Sequence, residues 1–383
     1  REDGAFGFEN VVYGHWIVAE IEQPEGFILA LEMHHVYVDS DGETIKIVMT
    51  NEHIKGNVLL TKFDADYPEN KLTGAVFVVY LDVNGDGKPD DGDIFVADLA
   101  ETEKGLYELK DLPYGKYLLL ETVAPEGFEK DENVYPFEIK ENGETVAVEN
   151  EDGIGFFNKA QRGSLIIEKS SEDGVLEGFE FVVEGTDFLG NEFSETYVTD
   201  TDGEINVSLR PGNYTVYEKE SDGNIRYVLP DSQTVEIKAG EDSTLAFVNN
   251  LKKGSVEFRK VNKATGKPLA GVSFAIYDAE KNLIAEGKTD ADGLLRFDDI
   301  AYGNYFWQET ATVDGYIAES GYHEFSVTEN GQVLEFTVEN EPIPDVPKTG
   351  DDSNLPLWFG LLTLSGGTLA GLLFFDKKRR CKA

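Results

Sequence analysis

The chain repeats one sequence unit, and the order of its fixed positions constrains the fold more than any other feature. Each complete unit opens with a glycine followed six residues later by a lysine, carries a glycine and a glutamate with the same separation, and closes on an asparagine. The period is 107 residues between the first two lysines and 91 residues between the second and third. Units of this length can each bury a core, so we expect a row of independent domains. The positions are Lys62, Glu121 and Asn158; Lys169, Glu218 and Asn249; and Lys260, Glu309 and Asn340.

Each unit consists of short stretches in which apolar and polar residues alternate, such as GSVEFRKV, separated by Asp-Gly, Asn-Gly and Pro-Gly turns. Alternation with a period of two indicates half-buried strands, and regularly spaced short strands are typical of β-sandwiches. The sequence therefore predicts an all-β fold of tandem sandwiches. The expected domains are 53–160, 161–251 and 252–341. An incomplete unit, 1–52, precedes them, and in it Gly14, Glu20 and Asn51 fit the repeat without an opening lysine.

The repeated lysine, glutamate and asparagine are in phase with the apolar residues of their strands. Val256 and Phe258, for example, have the same parity as Lys260, and the other eight positions follow the same rule. Residues of one parity share a face of a strand, so each unit directs one Lys, one Glu and one Asn into its interior. Burial favours the neutral forms of an amine and a carboxyl group, and a neutral amine is a nucleophile.

This arrangement resembles the Cna-B or SpaA-type domain of pilins and adhesin stalks, an Ig-like or prealbumin-like Greek-key sandwich. The stretches GAVF (74–77), APEGF (124–128), GVSF (271–274) and TDADG (289–293) are also similar to that family, and the resemblance covers residues 1 to 341. It implies an autocatalytic isopeptide bond between the first-strand lysine and the last-strand asparagine, with a protonated glutamate transferring protons. The implied sets are Lys62–Asn158 with Glu121, Lys169–Asn249 with Glu218, and Lys260–Asn340 with Glu309.

Two alternatives to covalent bonds are open. The three residues of a unit can form a buried non-covalent cluster, or the lysine can lie at a strand end from which its amine reaches solvent. The incomplete unit, which has no such lysine, would form no bond. The single cysteine, Cys381, excludes an intrachain disulfide, so any covalent cross-link must be of another kind.

The C-terminal residues carry a second signal. Residues 355–375 form an uncharged stretch of 21 positions, which predicts a transmembrane helix, and the basic tail 376–383 indicates a cytoplasmic C-terminus. The linker 342–354 before this span contains Val346, Pro347, Lys348, Thr349 and Gly350. Pentapeptide, span and tail resemble the LPxTG sorting signal of Gram-positive bacteria, with Val346 in place of leucine. The resemblance implies that a sortase cleaves between Thr349 and Gly350 and joins the protein to peptidoglycan; a plain membrane anchor is the alternative.

Residues 82–93 have the spacing of an EF-hand calcium loop. Oxygen ligands occupy positions 1, 3, 5, 9 and 12, with Gly87 at position 6. Position 12 is an aspartate where a glutamate is usual, and no flanking helices are evident, so a solvated acidic hairpin turn is the alternative to a calcium site. The proposed isopeptide chemistry itself requires no cofactor. The candidate calcium ligands are Asp82, Asn84, Asp86, the backbone carbonyl of Lys88, Asp90 and Asp93.

The composition excludes several classes of function. With 74 Asp and Glu against 33 Lys and Arg, the net charge of −41 would repel nucleic acids and anionic membranes. The five histidines show no metal-binding spacing, and the sequence contains neither a glycine-rich phosphate loop nor a nucleophile elbow. We therefore expect a protein that is not an enzyme.

Together these patterns predict a secreted, peptidoglycan-anchored surface protein whose cross-linked sandwiches form a stalk for an upstream adhesive region that binds a host or matrix ligand. Because sorting requires export and the sequence shows no signal peptide, we interpret it as the C-terminal part of a longer precursor. One alternative is a basal or tip pilus subunit, since Tyr67-Pro68-Glu69 stands where shaft pilins carry Tyr-Pro-Lys. Another is the stalk of a wall-anchored hydrolase whose catalytic domain lies upstream.

Overall fold

The computed structural model describes residues 4–149 and 155–344, and all regular elements in these ranges are β-strands. The prediction of tandem all-β sandwiches is confirmed for this part of the chain. Two compact units are separated between Leu251 and Lys252.

The first compact unit contains an N-terminal two-stranded sheet and two sandwiches. The N-terminal strands β1 (Gly14–Ala19) and β2 (Met33–Val38) pair antiparallel. The first sandwich contains β3 (Lys55–Asp64), β4 (Val76–Leu81), β5 (Ile94–Asp98), β6 (Ala100–Glu103), β7 (Leu106–Pro113), β8 (Gly115–Val123), β9 (Val134–Ile139), β10 (Thr145–Ala147) and β11 (Phe156–Asn158). The second contains β12 (Gly163–Ser171), β13 (Glu180–Asp187), β14 (Glu192–Val198), β15 (Glu204–Leu209), β16 (Gly212–Glu218), β17 (Tyr227–Val228), β18 (Gln233–Ile237) and β19 (Asp242–Leu251).

The second compact unit contains the third sandwich. Its strands are β20 (Lys253–Asn262), β21 (Ser273–Tyr277), β22 (Leu283–Lys288), β23 (Leu294–Ala301), β24 (Gly303–Ala311), β25 (Tyr316–Ile317), β26 (His323–Val327) and β27 (Val333–Pro342).

Each sandwich places its opening strand beside its closing strand. In the second sandwich the sheets have the orders β15-β12-β19-β17 and β14-β13-β16-β18, and the third repeats this topology with β23-β20-β27-β25 and β22-β21-β24-β26. The opening and closing strands run parallel, β12 with β19 and β20 with β27. In the first sandwich the closing segment is divided into β10 and β11, both parallel to β3. A bond between these strands would therefore join the two ends of a domain.

Alternation of apolar residues produces one core in each sandwich. On β3, for example, every second side chain is buried, from Gly56 to Asp64, and Val58 and Leu60 pack with Phe77 of the opposite sheet. The second and third sandwiches have separate cores of the same kind. The strand period of two therefore fixes which side chains face inward.

A buried arginine lies between the first and second sandwiches. Arg210 Nη2 is 2.8 Å from Asp64 Oδ2 and its Nε is 3.1 Å from Asp187 Oδ2. The guanidinium is only 5% exposed and lies 5.5 Å from the centre of the Phe128 ring and 5.0 Å from that of Tyr67. Charged and aromatic groups of both sandwiches thus converge on one side chain, a contact that the sequence patterns did not predict.

Candidate functional site

Strand register brings each lysine close to the asparagine of the same sandwich. On the neighbouring parallel strand the residue opposite the lysine precedes the asparagine by two positions, so both residues share a face of the sheet. The glutamate comes from the other sheet, on β8, β16 or β24. Three residues that are distant in sequence therefore meet inside each sandwich. The pairs in register are Lys62 with Phe156, Lys169 with Phe247, and Lys260 with Val338.

All nine side chains of these clusters are buried, with exposed fractions between 0% and 6%. The inward orientation expected from strand parity is confirmed. Aromatic rings lie near the amines: Lys62 Nζ is 5.4 Å from the centre of the Phe77 ring, and Lys260 Nζ is 5.8 Å from that of Phe274. Burial lowers the pKa of both lysines below the usual range, although the neighbouring glutamate acts in the opposite direction.

In the first sandwich, Glu121 contacts both other members of its cluster. Asn158 Nδ2 donates to its two carboxylate oxygens at 3.1 and 3.0 Å, and Lys62 Nζ lies 3.1 Å from Oε1. The backbone N–H of Asp131 also donates to Oε2, at 2.7 Å. The Glu121 carboxyl group thus lies within hydrogen-bond distance of Asn158 Nδ2, the nitrogen that would leave if a lysine replaced it in the amide. A general acid must lie this close to the atom that it protonates.

In the third sandwich, the lysine and the asparagine touch directly. Lys260 Nζ donates to Asn340 Oδ1 and, at 2.9 Å, to Glu309 Oε2. Asn340 Nδ2 donates to Glu309 Oε1 at 2.6 Å and to Thr312 Oγ1 at 2.7 Å. Nucleophile, carbonyl and acid are therefore within one hydrogen-bonded group.

In the second sandwich, the lysine makes a different contact. Asn249 Nδ2 donates to Glu218 Oε1 at 2.8 Å, but Lys169 Nζ donates to the carbonyl of Ser170 at 2.5 Å and lies 4.2 Å from the centre of the Phe179 ring. Burial lowers the pKa of Lys169 to about 8, with Glu218 acting in the opposite direction. The side chain must therefore leave its own strand's carbonyl before its nitrogen can approach Asn249.

Several buried polar atoms of the clusters lack a hydrogen bond. Within the described ranges they include Lys62 Nζ, Asn158 Oδ1, Asn249 Oδ1 and Glu218 Oε2. Lys62 Nζ is at ion-pair distance from Glu121, but the geometry is not that of a hydrogen bond. Unpartnered buried polar groups are rare because each costs about 1–3 kcal/mol. An amide between the amine and the carboxamide would remove the unpartnered amine and leave a carbonyl to which a protonated glutamate could donate a hydrogen bond.

A turn glycine fixes the backbone of each lysine. The lysine N–H donates to the glycine carbonyl at 2.7 to 2.8 Å in all three sandwiches. At Gly203 and Gly293 the backbone has a positive φ, and a Cβ atom would lie 2.5 Å from the carbonyl oxygen of Lys169 or Lys260. Only glycine fits there without strain, which gives the TDADG motif (289–293) a structural role beside the cluster. The pairs are Lys62 with Gly105, Lys169 with Gly203, and Lys260 with Gly293.

The N-terminal unit contains the same acid and amide. Glu20 Oε2 accepts hydrogen bonds from Asn51 Nδ2 at 2.6 Å and from the backbone N–H of Ala30 at 2.7 Å. Asn51 Nδ2 also donates to the carbonyl of Ile28 at 2.9 Å. The repeat positions identified from sequence therefore form a pair here as well.

The loop 82–93 connects β4 to β5, and its side-chain oxygens accept hydrogen bonds within the loop. Asp82 accepts from the N–H groups of Gly85 and Gly87 at 2.7 and 3.0 Å, and Asn84 Nδ2 donates to Asp90 Oδ2 at 2.7 Å. Among residues 4–149 and 155–344, no group of three or more His, Cys, Asp or Glu side chains is arranged to hold a metal ion. Calcium binding stays a prediction for Asp82, Asn84, Asp86, Lys88, Asp90 and Asp93.

The sorting pentapeptide, Val346 to Gly350, lies outside the described residues, as do the span 355–375 and the tail 376–383. In the part of the chain that the structure does describe, no helix is long and apolar enough to cross a membrane.

Comparisons with known proteins identify a family. The sequence profile of SpaA, described as a prealbumin-like fold domain, matches residues 1–53, 56–153, 163–251 and 254–342. The serine-aspartate repeat-containing protein F of Staphylococcus epidermidis is 25% identical over 359 residues, covering 79% of this chain and 22% of that protein. The chain thus spans about a fifth of the length of this curated relative.

A solved structure shows the same fold. The Bacillus anthracis TIE protein is 26% identical, with a TM-score of 0.57 over 82% of this chain and 54% of its own. The major pilin subunit BcpA of Bacillus cereus is 18% identical, with a TM-score of 0.34 over 76% of this chain and 100% of its own.

Proposed function

The chain belongs to the SpaA family of prealbumin-like fold domains, and from this premise we propose that it is a surface stalk of a Gram-positive bacterium, cross-linked by isopeptide bonds. The observation that carries the proposal is the repeated burial of one lysine, one glutamate and one asparagine between the sheets, with unpartnered polar atoms among them. The proposed bonds are Lys62–Asn158, Lys169–Asn249 and Lys260–Asn340.

The chemistry follows from the buried contacts. The neutral lysine Nζ attacks Cγ of the asparagine, a C–N bond forms, and the bond from Cγ to Nδ2 breaks. The glutamate accepts a proton from the attacking nitrogen and delivers one to Nδ2, which leaves as ammonia. Amine plus carboxamide thus gives secondary amide plus ammonia, and no oxidant or cofactor is needed. Glu121 and Glu309 already accept hydrogen bonds from the leaving nitrogen.

The bonds would serve a mechanical purpose. Each joins the first and last strands of a domain, so a pulling force between the domain ends passes through a covalent link rather than through strand hydrogen bonds. Such a link does not depend on an oxidising compartment, which is consistent with a chain whose single cysteine is Cys381.

We further propose that a sortase cleaves between Thr349 and Gly350 and joins Thr349 to peptidoglycan, after residues 355–375 have held the precursor at the membrane. The sequence of pentapeptide, apolar stretch and basic tail supports this anchoring. The stalk would present an upstream region that binds a host or matrix ligand, and the chain itself would catalyse no turnover of a substrate.

The intact mass of the recombinant protein tests the proposed bonds. For residues 53–344 we expect a mass lower than that of the sequence by three molecules of ammonia, and cross-linked peptides for all three pairs after digestion. In Lys62→Met, Lys169→Met and Lys260→Met, the deficit relative to the mass calculated from each variant's sequence should fall from three ammonias to two. A mass equal to that of the unmodified sequence would contradict the proposal and leave three non-covalent clusters.

Asn249→Ala should make the stability of the second sandwich pH-dependent, because Lys169 then remains an amine. Its pKa is about 8 in the folded protein and 10.5 ordinarily, so between these values the unfolded chain binds more protons. The free energy of unfolding should therefore rise between pH 8 and 10, by about 2 kcal/mol. Denaturant titrations across this range measure the slope, and Asn249→Ala combined with Lys169→Met should abolish it. A flat profile for the single variant would contradict the low pKa.

A further inference from the structure

Strand pairing aligns the segment after the glutamate in all four units. In each unit an aromatic residue pairs with the residue two positions after the cluster asparagine, which identifies equivalent positions independently of loop length. The pairs are Phe27 with His53, Phe128 with Ala160, Tyr227 with Leu251, and Tyr316 with Pro342.

Three residues after this aromatic, the backbone N–H donates to the cluster glutamate in three units. The donors are Ala30 to Glu20 and Asp131 to Glu121, both at 2.7 Å, and Glu319 to Glu309 at 3.1 Å. The equivalent residue of the second sandwich is Pro230, which has no N–H to donate.

Asn224 supplies a hydrogen bond to the glutamate of that sandwich. Its Nδ2 donates to Glu218 Oε1 at 2.9 Å and to the carbonyl of Lys219 at 2.8 Å, while its Oδ1 accepts from the N–H of Ser221 at 2.8 Å. The side chain is 2% exposed, so it is a fixed part of the interior. Two carboxamides, those of Asn224 and Asn249, therefore donate to the same oxygen of Glu218.

We infer that Asn224 is a positioning residue that replaces the N–H donor lost at Pro230 and orients Glu218 for isopeptide formation. Holding Oε1 leaves Glu218 Oε2, which is buried and has no partner among the described residues, as the oxygen that carries the proton. Glu218 delivers this proton to Asn249 Nδ2 as the bond from Cγ to Nδ2 breaks and ammonia leaves. Lys169 Nζ forms the new bond to Cγ, and the proton that Nζ gives up returns to Glu218. The inference rests on the proposed function, because it concerns the rate of the same bond.

The test follows bond formation in the full chain. Unlinked chain, recovered in denaturant from inclusion bodies and checked by intact mass to retain all its ammonia, is diluted into folding buffer, quenched at intervals and digested. The cross-linked peptides of each sandwich are then quantified by mass spectrometry. We expect Asn224→Ala to slow the Lys169–Asn249 bond about a hundredfold, the effect of a displaced catalytic group. The bonds at Lys62 and Lys260 should form at unchanged rates in the same sample.

A second substitution separates positioning from a structural role. Pro230→Ala restores an N–H at the equivalent position, so Asn224→Ala with Pro230→Ala should recover most of the rate. If Asn224→Ala prevents folding, Asn224→Asp keeps the acceptor for Ser221 while removing the donor to Glu218, and it should slow the bond similarly. An unchanged rate in either single variant, or no recovery in the double variant, would overturn the inference. Absence of the bond in the unsubstituted chain would instead overturn the proposed function in this sandwich.

Discussion

Glu309→Gln is expected to leave the third sandwich folded but without its cross-link, and to lower its unfolding midpoint by roughly 20 to 40 °C. Glutamine has the shape of glutamate but cannot hold the proton that the departing ammonia needs, so Lys260 and Asn340 stay unlinked. A cross-link between them closes a loop of roughly 80 residues, for which chain entropy predicts about 4–5 kcal/mol. Calorimetry and intact mass, measured on the same sample, relate the lost stability to the retained ammonia.

Glu341→Gln is the matched control. Glu341 also pairs with a lysine, Lys263, but both side chains are more than half exposed, so water screens the pair and it contributes little to stability. This variant should lose its ammonia as the unsubstituted protein does and keep its midpoint. If Glu309→Gln also lost its ammonia and kept its unfolding midpoint, the glutamate would have no role in closing the bond. If it lost the bond without losing stability, the entropic account would be wrong.

The sequence could predict the fold class and the inward direction of the clusters because both depend on a local property. A strand has a period of two, so the parity of Lys260 relative to Val256 and Phe258 decides which face it occupies before any tertiary contact is known. The register of the parallel strands then brings Lys260 towards Asn340.

Contacts that depend on particular loops could not be predicted in this way. Parity assigns Lys169 to the interior, but it does not show that the carbonyl of Ser170 competes for its amine. The role of Asn224 depends on a loop whose glutamate-to-aromatic spacing differs from that of the other units. This longer spacing and the proline at the position of an N–H donor can both be read from the sequence, but they become informative only once strand pairing has aligned Pro230 with Asp131 and Glu319.

Arg210→Met is expected to destabilise the contact between the first and second sandwiches by about 3–5 kcal/mol. The substitution leaves Asp64 without its cation while its side chain stays completely buried, and an uncompensated buried carboxylate is costly. Asp187 loses an ion pair too but keeps three hydrogen bonds, from Leu189 and Asn191. Among the described residues Asp64 keeps only one, from the N–H of Asp66, so Asp64 should account for most of the effect. Denaturant titration gives the loss, and hydrogen exchange should show it at residues 64–72 and 187–191.

Arg296→Met is the control, since Arg296 also contacts two carboxylates but is 46% exposed, so water screens its ion pairs and its loss should change stability little. Arg210→Lys should recover only part of the stability, because an ammonium cannot contact several carboxylates in one plane as a guanidinium does. The deficit of three ammonias, relative to the mass calculated from each variant's own sequence, should stay the same in all three variants, because the proposed bonds lie within sandwiches and Arg210 lies between them. A loss at Arg210 no larger than at Arg296 would contradict a stabilising role for this cluster. A large loss of stability with all three ammonias still missing would show that the ion pairs of Arg210 hold the two sandwiches together independently of the covalent bonds.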